Sequence, residues 1–359
     1  MDYIREFRDK KSLGELVKGI KNLSRRRINL MEVCGTHTMA IFKYGLRKLM
    51  PDNIKLLSGP GCPVCVTGNE DIDKAIWIAK QKGVILATFG DMLRVPGSTS
   101  SIYNEKVNGY DVRFIYSPLD ALRLAEDNPK KKIVFFAIGF ETTSPAVASS
   151  ILEAKRRKLN NYFVFCAHKL IPPAMEALLQ AKEINIDGFI CPGHVSVIIG
   201  AKPYEFIAKR YGVPCVITGF EPLDILQGIF MLVRQIESKQ ASIEIQYRRL
   251  VKYEGNLLAL KTLEEVFDRT DSYWRGMGVI VDSGLKLRKK YESFDAEGVF
   301  KIKQEITKSI PGCLCGEVIR GVKEPIECKY FGKVCTPSSP LGPCMVSIEG
   351  ACFIYYTYS

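Results

Sequence analysis

From residue 28 to about residue 250 the chain alternates short apolar runs with amphipathic stretches, and this rhythm restricts the fold more than any other feature. A short apolar run rich in β-branched and aromatic residues predicts a strand buried on both faces; a longer amphipathic stretch predicts a helix covering one of them. The runs at 28–33, 54–57, 84–89, 112–116, 133–138, 162–166, 188–190 and 215–218 are candidate strands. Candidate helices between them include 70–82, 145–159, 173–183 and 223–237. Strands alternating with helices predict an α/β fold of mostly parallel sheets flanked by helices. We expect two domains with a sheet of about four strands each, 28–128 and 129–250, divided at Asp127-Asn128-Pro129-Lys130. The rhythm stops near residue 270, so a third domain would combine the N- and C-terminal segments, 1–27 and 251–359. Ser12-x-x-Glu15 fits a capping box opening an N-terminal helix.

With 47% hydrophobic and 25% charged residues, the composition is that of a soluble globular protein and excludes a fibrous or disordered chain. No apolar run approaches the ~18 residues that span a bilayer, and the opening MDYIREFRDKK lacks the apolar core of a secretory leader. A cytoplasmic protein without membrane attachment is expected. The net charge of +12 is spread over short runs such as Arg25-Arg26-Arg27 and Lys130-Lys131-Lys132, without interleaved aromatics. That pattern predicts solvated surface, not a nucleic-acid site.

In open parallel sheets the ligand site lies beyond the carboxyl ends of the strands. The first three runs lead into Cys34-Gly35-Thr36-His37-Thr38, Gly59-Pro60-Gly61-Cys62-Pro63-Val64-Cys65 and Gly90-Asp91-Met92-Leu93-Arg94-Val95-Pro96-Gly97, which should meet on one edge. Cys34 and His37 put a soft thiolate and an imidazole at a helix start, where the dipole favours an anion. Cys62 and Cys65 have C-x-x-C spacing, which suits a redox dithiol or transient metal binding. Later strands end at Gly139-Phe140-Glu141-Thr142-Thr143, Cys166-Ala167-His168-Lys169, Cys191-Pro192-Gly193-His194 and Gly219-Phe220-Glu221-Pro222. Their histidines and glutamates are open to acid–base chemistry, ligation or partner contact, whereas Cys166, Cys191 and Cys215 read as core. Neither a Walker loop nor a G-x-G-x-x-G fingerprint is present, so a bound nucleotide is not supported.

Six of the 12 cysteines crowd the tail as Cys313-x-Cys315-x12-Cys328-x6-Cys335-x8-Cys344-x7-Cys352. Disulfides suit small secreted domains, and structural zinc usually takes two short knuckles that these gaps do not make. An iron–sulfur cluster tolerates wider gaps and needs four thiolates, leaving two for a dithiol.

The segments MEVCGTHT, GPGCPVC, GFETTSPA, GHVSVIIG, PCVITGFEPLDIL and CKYFGKVCTPSSPLGPCMVSIEGAC together resemble the HypD family of NiFe-hydrogenase maturation proteins, from about residue 30 to the end. The resemblance implies a 4Fe–4S redox scaffold, more than a turnover enzyme. With a HypC-type chaperone it would hold iron while that iron receives cyanide and carbon monoxide. A HypE-type cyanide donor and a carbamoyltransferase would supply the cyanide, and the chain would act as a monomer within a hetero-complex. By the same resemblance Cys34 would hold the iron with His37 close by, and Cys62 and Cys65 would form the redox pair near it. The tail is similar to ferredoxin:thioredoxin reductase, which implies Cys313, Cys328, Cys335 and Cys352 as cluster ligands and Cys315 with Cys344 as redox thiols. The competing expectation is a thiol–disulfide oxidoreductase acting on proteins. It has no need of the Cys34-x-x-His37 loop. Cluster-dependent RNA modification is disfavoured by the absence of CxxxCxxC spacing.

Overall fold

All eight apolar runs are strands in the computed structural model of the chain, which describes residues 6–302 and 310–359. They are β1 (Ile28–Glu32), β2 (Ile54–Ser58), β3 (Val84–Phe89), β4 (Val112–Ile115), β5 (Lys132–Ala137), β6 (Tyr162–Cys166), β7 (Gly188–Pro192) and β8 (Cys215–Thr218). A short β9 (Ile243–Ile245) and a long hairpin of β10 (Phe267–Trp274) and β11 (Gly278–Leu287) were not expected. Both are legible afterwards as alternating, not continuous, apolar patterns; β10 buries only its two end residues.

The strands form two parallel sheets, ordered β2-β1-β7-β8-β9 and β4-β3-β5-β6. The expected cut at residues 127–130 does not separate them. β3 to β6 form one sheet, and the other takes its strands from both sides of that segment, with Leu30, Met31 and Glu32 of β1 in register with Gly188, Phe189 and Ile190 of β7. Strand rhythm reports burial on two faces and carries no information on which strand is the neighbour, so sequence order was a poor guide to pairing.

Alternate residues of each strand enter different cores. Ile85, Ala87, Ile133 and Phe135 pack outward against the helices Pro118–Asp127 and Ser144–Arg156, with Val266, Phe267 and Leu285 from the hairpin region. Leu86, Val134 and Phe136 face a core shared with Met31, Leu57, Phe189 and Ile217 of the other sheet. The outer face of the five-stranded sheet is closed by the helix Pro222–Ser238 and the N-terminal helix Lys10–Leu23, where Ile20 joins Ile225 and Ile229.

The expected third domain is therefore not one body. The N-terminal helix belongs to the five-stranded sheet, and Arg8 reinforces that docking with an ion pair to Glu221 (2.7 Å). Its N-cap is Asp9, accepting from the Ser12 N–H at 2.7 Å, so Ser12 is inside the helix and is not its cap. The helix Leu257–Val266 and the hairpin cover the four-stranded sheet. The cysteine tail from Ile310 onward is built of short helices at Cys315–Ile319, Pro343–Val346 and Ala351–Tyr358 and packs onto the core shared by the two sheets through Cys315, Ile319 and Cys344. Residues 1–5 and 303–309 of the expected domain lie outside the described residues.

Candidate functional site

In the five-stranded sheet the connections reverse between β1 and β7, which opens a crevice at their carboxyl ends. Cys34 stands there as the N-cap of the helix Gly35–Lys43. Its N–H donates to Glu32 Oε2 at 2.9 Å, and the Thr38 hydroxyl bonds the other oxygen of the same buried carboxyl. Desolvation pushes Glu32 up to about 8, against the pull of those bonds. It also pushes the Cys34 thiol up to about 12, with the carboxylate of Glu349 and then that of Glu32 adding to the rise.

The loop after β2 lies directly on this turn. Gly35 N–H donates to Gly61 O at 2.9 Å, and a Cβ on Gly61 would stand 2.2 Å from the Cys34 nitrogen, so only glycine lets the two backbones meet. Cys62 then caps the short helix Pro63–Val66, its sulfur 3.2 Å from the Cys65 N–H, and Cys62 and Cys65 are joined as a disulfide.

His37 is fully buried. Its Nε2 lies 3.0 Å from Gly219 O and 2.9 Å from the Thr218 hydroxyl. A carbonyl only accepts, so Nε2 carries the proton and Nδ1 is left with its lone pair and no partner. Burial holds the imidazole down at about 4, hence neutral near pH 7. The ring stacks on Phe220 (4.8 Å between centroids), whose ring also contacts His194 (4.0 Å). The strand-end groups of β1, β7 and β8 thus form one wall.

The expectation that the first three loops share one edge is half right. β1 and β2 are neighbours, but β3 belongs to the other sheet. Its Asp91 nonetheless comes close enough to Glu349 to raise that carboxyl's pKa, after desolvation as the main cause.

Glu349 was not singled out from the sequence, and it carries the tail into the crevice. Its carboxylate accepts from the Thr36 hydroxyl at 2.9 Å, and a Cβ on Gly35 would lie 2.5 Å from its backbone oxygen. Nearby, Pro343 O is 3.9 Å from the Cys65 sulfur. The six tail cysteines, Cys313, Cys315, Cys328, Cys335, Cys344 and Cys352, line one apolar cavity with Tyr330 and Phe331. Thiol hydrogen bonds with Cys313 and then Cys344, opposed by burial and aided by nearby Arg275, bring Cys315 well below the usual thiol range. Its partners Cys344 and Cys313 are pushed up. Among the described residues no three His, Cys, Asp or Glu side chains close around a single point as ligands of one metal ion. Nor is any helix among them long and apolar enough to cross a membrane.

The HypD family model, described as the hydrogenase formation hypA family, matches residues 11–359. The chain belongs to this family. It is 48% identical to the hydrogenase maturation factor HypD2 of Bradyrhizobium diazoefficiens, over 100% of this chain and 97% of that protein. It is 44% identical to the hydrogenase maturation factor HypD of Cupriavidus necator, with the same coverage, and 44% identical to that of Escherichia coli, over 100% of this chain and 98% of the relative. A role in hydrogenase maturation follows.

The structure brings Cys34, His37, Cys62 and Cys65 to one crevice and sets the six tail cysteines beside it. Cys166, Cys191 and Cys215 stay apart from it. Cys191 and Cys215 are fully buried in the core between the sheets, while Cys166 bonds Leu285 O at 3.2 Å.

Proposed function

We propose that the chain is a cytoplasmic redox scaffold on which an iron ion, as cargo, is held while it acquires cyanide and carbon monoxide, before delivery to a NiFe-hydrogenase. The carrying observation is that Cys34 caps the helix turn bearing His37, whose neutral ring leaves Nδ1 without a partner, and that this turn lies on the loop leading into the Cys62–Cys65 disulfide. A soft thiolate suits low-valent iron. Cys34 must lose a proton to bind it, and burial makes the free thiolate costly, so cationic iron is what stabilises it there. Cys34 would share the iron with a cysteine of a HypC-type chaperone, the chain acting as a monomer within that hetero-complex; a HypE-type protein would donate cyanide. His37 supplies a nearby lone pair, and the Cys62–Cys65 pair takes up two electrons and two protons on opening and delivers them on closing.

The tail fits a 4Fe–4S cluster as a donor set, since six soft sulfurs around one apolar cavity exceed its needs by two. Cys313, Cys328, Cys335 and Cys352 would hold it, with Cys315 and Cys344 as the remaining thiol pair. When bound it would supply electrons singly. Single Cys→Ala proteins test this division by iron content and visible absorbance: Cys313→Ala should lose the cluster and Cys315→Ala should keep it. The reverse result overturns the assignment.

A general thiol–disulfide oxidoreductase would use Cys62 and Cys65 but leaves Cys34 and the bare His37 nitrogen without a task. Infrared spectroscopy of the chain purified anaerobically with its chaperone decides the matter. Bands of bound cyanide and carbon monoxide, with iron beyond the four of a cluster, are expected; an active complex without them defeats the scaffold.

A further inference from the structure

The β10–β11 hairpin has no place in the chemistry described so far, yet its tip lies between the Cys62–Cys65 disulfide and the tail thiols. The residue after β10, Arg275, is the centre of this contact. Its backbone N–H donates to Val66 O at 2.8 Å, and Trp274 bridges Thr67 in antiparallel fashion, so the hairpin continues onto the segment that leaves the disulfide. The guanidinium donates to Cys65 O (3.2 Å), Thr67 O (2.8 Å) and Asn69 Oδ1 (2.5 Å). Each of these three partners is a neutral oxygen. The cation therefore satisfies the exposed carbonyls at the end of the disulfide's helix while keeping its charge uncancelled by them.

The other side of the tip meets the tail. Gly276, at φ +77°, lies against Gly316 so closely that a Cβ on it would fall 2.5 Å from the Gly316 Cα, and Arg320 reaches back to Gly276 O. Arg275 also lines the cleft of about 440 Å³ whose walls include Cys313, Cys315 and Pro343.

We propose that Arg275 is a positioning residue of the thiol relay, fixing the Cys62–Cys65 turn against the tail and stabilising negative charge that forms on those sulfurs when their disulfide is reduced. The proposal rests on the redox roles given to the two pairs under the proposed function, Cys315 with Cys344 and Cys62 with Cys65, and takes electrons to pass from the first to the second as a thiol relay. In that step the Cys315/Cys344 dithiol closes to a disulfide, giving up two electrons and two protons. The Cys62–Cys65 disulfide takes up two electrons and two protons and opens to two thiols. The guanidinium is fixed on Cys65 O and its charge also reaches Cys315 of the giving pair; on the receiving pair a fixed cation favours the thiolate forms and so raises that pair's potential.

Two measurements on the full chain separate this proposal from the relay itself. The first equilibrates Cys62–Cys65 against dithiothreitol buffers of known poise and needs no cluster. Arg275→Gln should shift the dithiol–disulfide equilibrium about tenfold toward the disulfide, which is about 30 mV for this two-electron couple. Arg275→Lys, which keeps the charge but not the fork of donors, should recover most of that shift. The second measures how fast Cys62–Cys65 opens after the iron-loaded chain has received two electrons per Cys315/Cys344 pair, where Arg275→Gln and Arg275→Lys should both be slowed.

Arg275→Gln with wild-type potential overturns the proposal, provided its iron content and melting temperature match wild type. A shift that Arg275→Lys does not recover overturns the charge role and leaves a merely structural one. If the wild-type pair fails to open in the second experiment, the relay is wrong while the equilibrium result still judges Arg275.

Discussion

The two parallel sheets offer the same kind of crevice, at the point where strand order reverses, and the chain treats the two in opposite ways. Between β1 and β7 the crevice keeps its chemical groups: a thiol at Cys34, an imidazole nitrogen without a partner at His37, and a disulfide at Cys62–Cys65. In the four-stranded sheet the order reverses between β3 and β5, and the carboxyl ends of β5 and β6 beside that point are covered by the hairpin. Trp274 is fully buried and stacks on Phe140, its Nε1 donating to Ser283 Oγ at 2.9 Å. Lys169 is buried and bonds Asp71 (3.2 Å) and Ser272 (2.6 Å), and Leu170 N–H donates to Ser283 O. The carboxyl ends of parallel strands can thus host a reactive site in one sheet and a structural joint in the other, and what differs is whether the chain's own residues cover them. The filled crevice also serves the open one. The same hairpin reaches the disulfide through Arg275, and Asp71 lies on the helix Asn69–Ala79 that follows it.

The sharpest way to break this contrast is Cys34→Ser. It should abolish hydrogenase maturation while leaving the melting temperature almost unchanged, because one sulfur is replaced by one oxygen; a large loss of stability would mean that the open crevice is structural too. Trp274→Ala should do the opposite, costing about 3–5 kcal/mol in urea unfolding as expected for truncating a buried aromatic. A cost below ~1 kcal/mol would show that the hairpin does not fill the second crevice. Asp71→Asn leaves the Lys169 ammonium buried without its counter-charge and should cost on the order of 3 kcal/mol; Lys169→Met in the same background should restore much of the loss.

The smallest effect concerns pH. Burial pushes Glu141 up to about 7, and one of its oxygens has no partner while the other accepts from Ile171 N–H at 3.0 Å. The folded chain keeps this carboxyl protonated where the unfolded chain has released the proton. Its contribution to stability is whole below about pH 4.5 and is lost as pH rises to about 7. His168, held down at about 3 by burial and then by Lys169, acts in the other direction, removing stability as pH falls below about 6.5. Glu141→Gln should flatten the fall in stability between pH 4.5 and 7 and leave the acid limb intact. An unchanged slope between pH 4.5 and 7 in denaturant melts would exclude Glu141 as its source.

Much of this was legible beforehand. The eight core strands are continuous apolar runs because both of their faces are buried, and the reactive groups were visible because glycine, cysteine and histidine cluster where those runs stop. β10 and β11 were missed because a strand exposed on one face alternates its side chains and is harder to separate from loop. Glu349 was missed for a different reason. One of four glutamates among the six tail cysteines, it belongs to no local pattern, and its meaning comes from Thr36, 313 residues away. The Asp9 cap was displaced by a motif of equal quality three residues later, a choice that the hydrogen bond alone decides.

By itself the sequence determined the α/β class, the strand-end position of Cys34, His37, Cys62 and Cys65, and the thiol-rich character of the tail, since all three depend on residue type and short spacing. Tertiary structure alone decided that β1 pairs with β7, that the tail reaches Cys65 and Thr36, and that a hairpin fills one crevice while the other stays open. Those outcomes depend on which buried surfaces find each other across more than a hundred residues, and no local pattern of side chains encodes that choice.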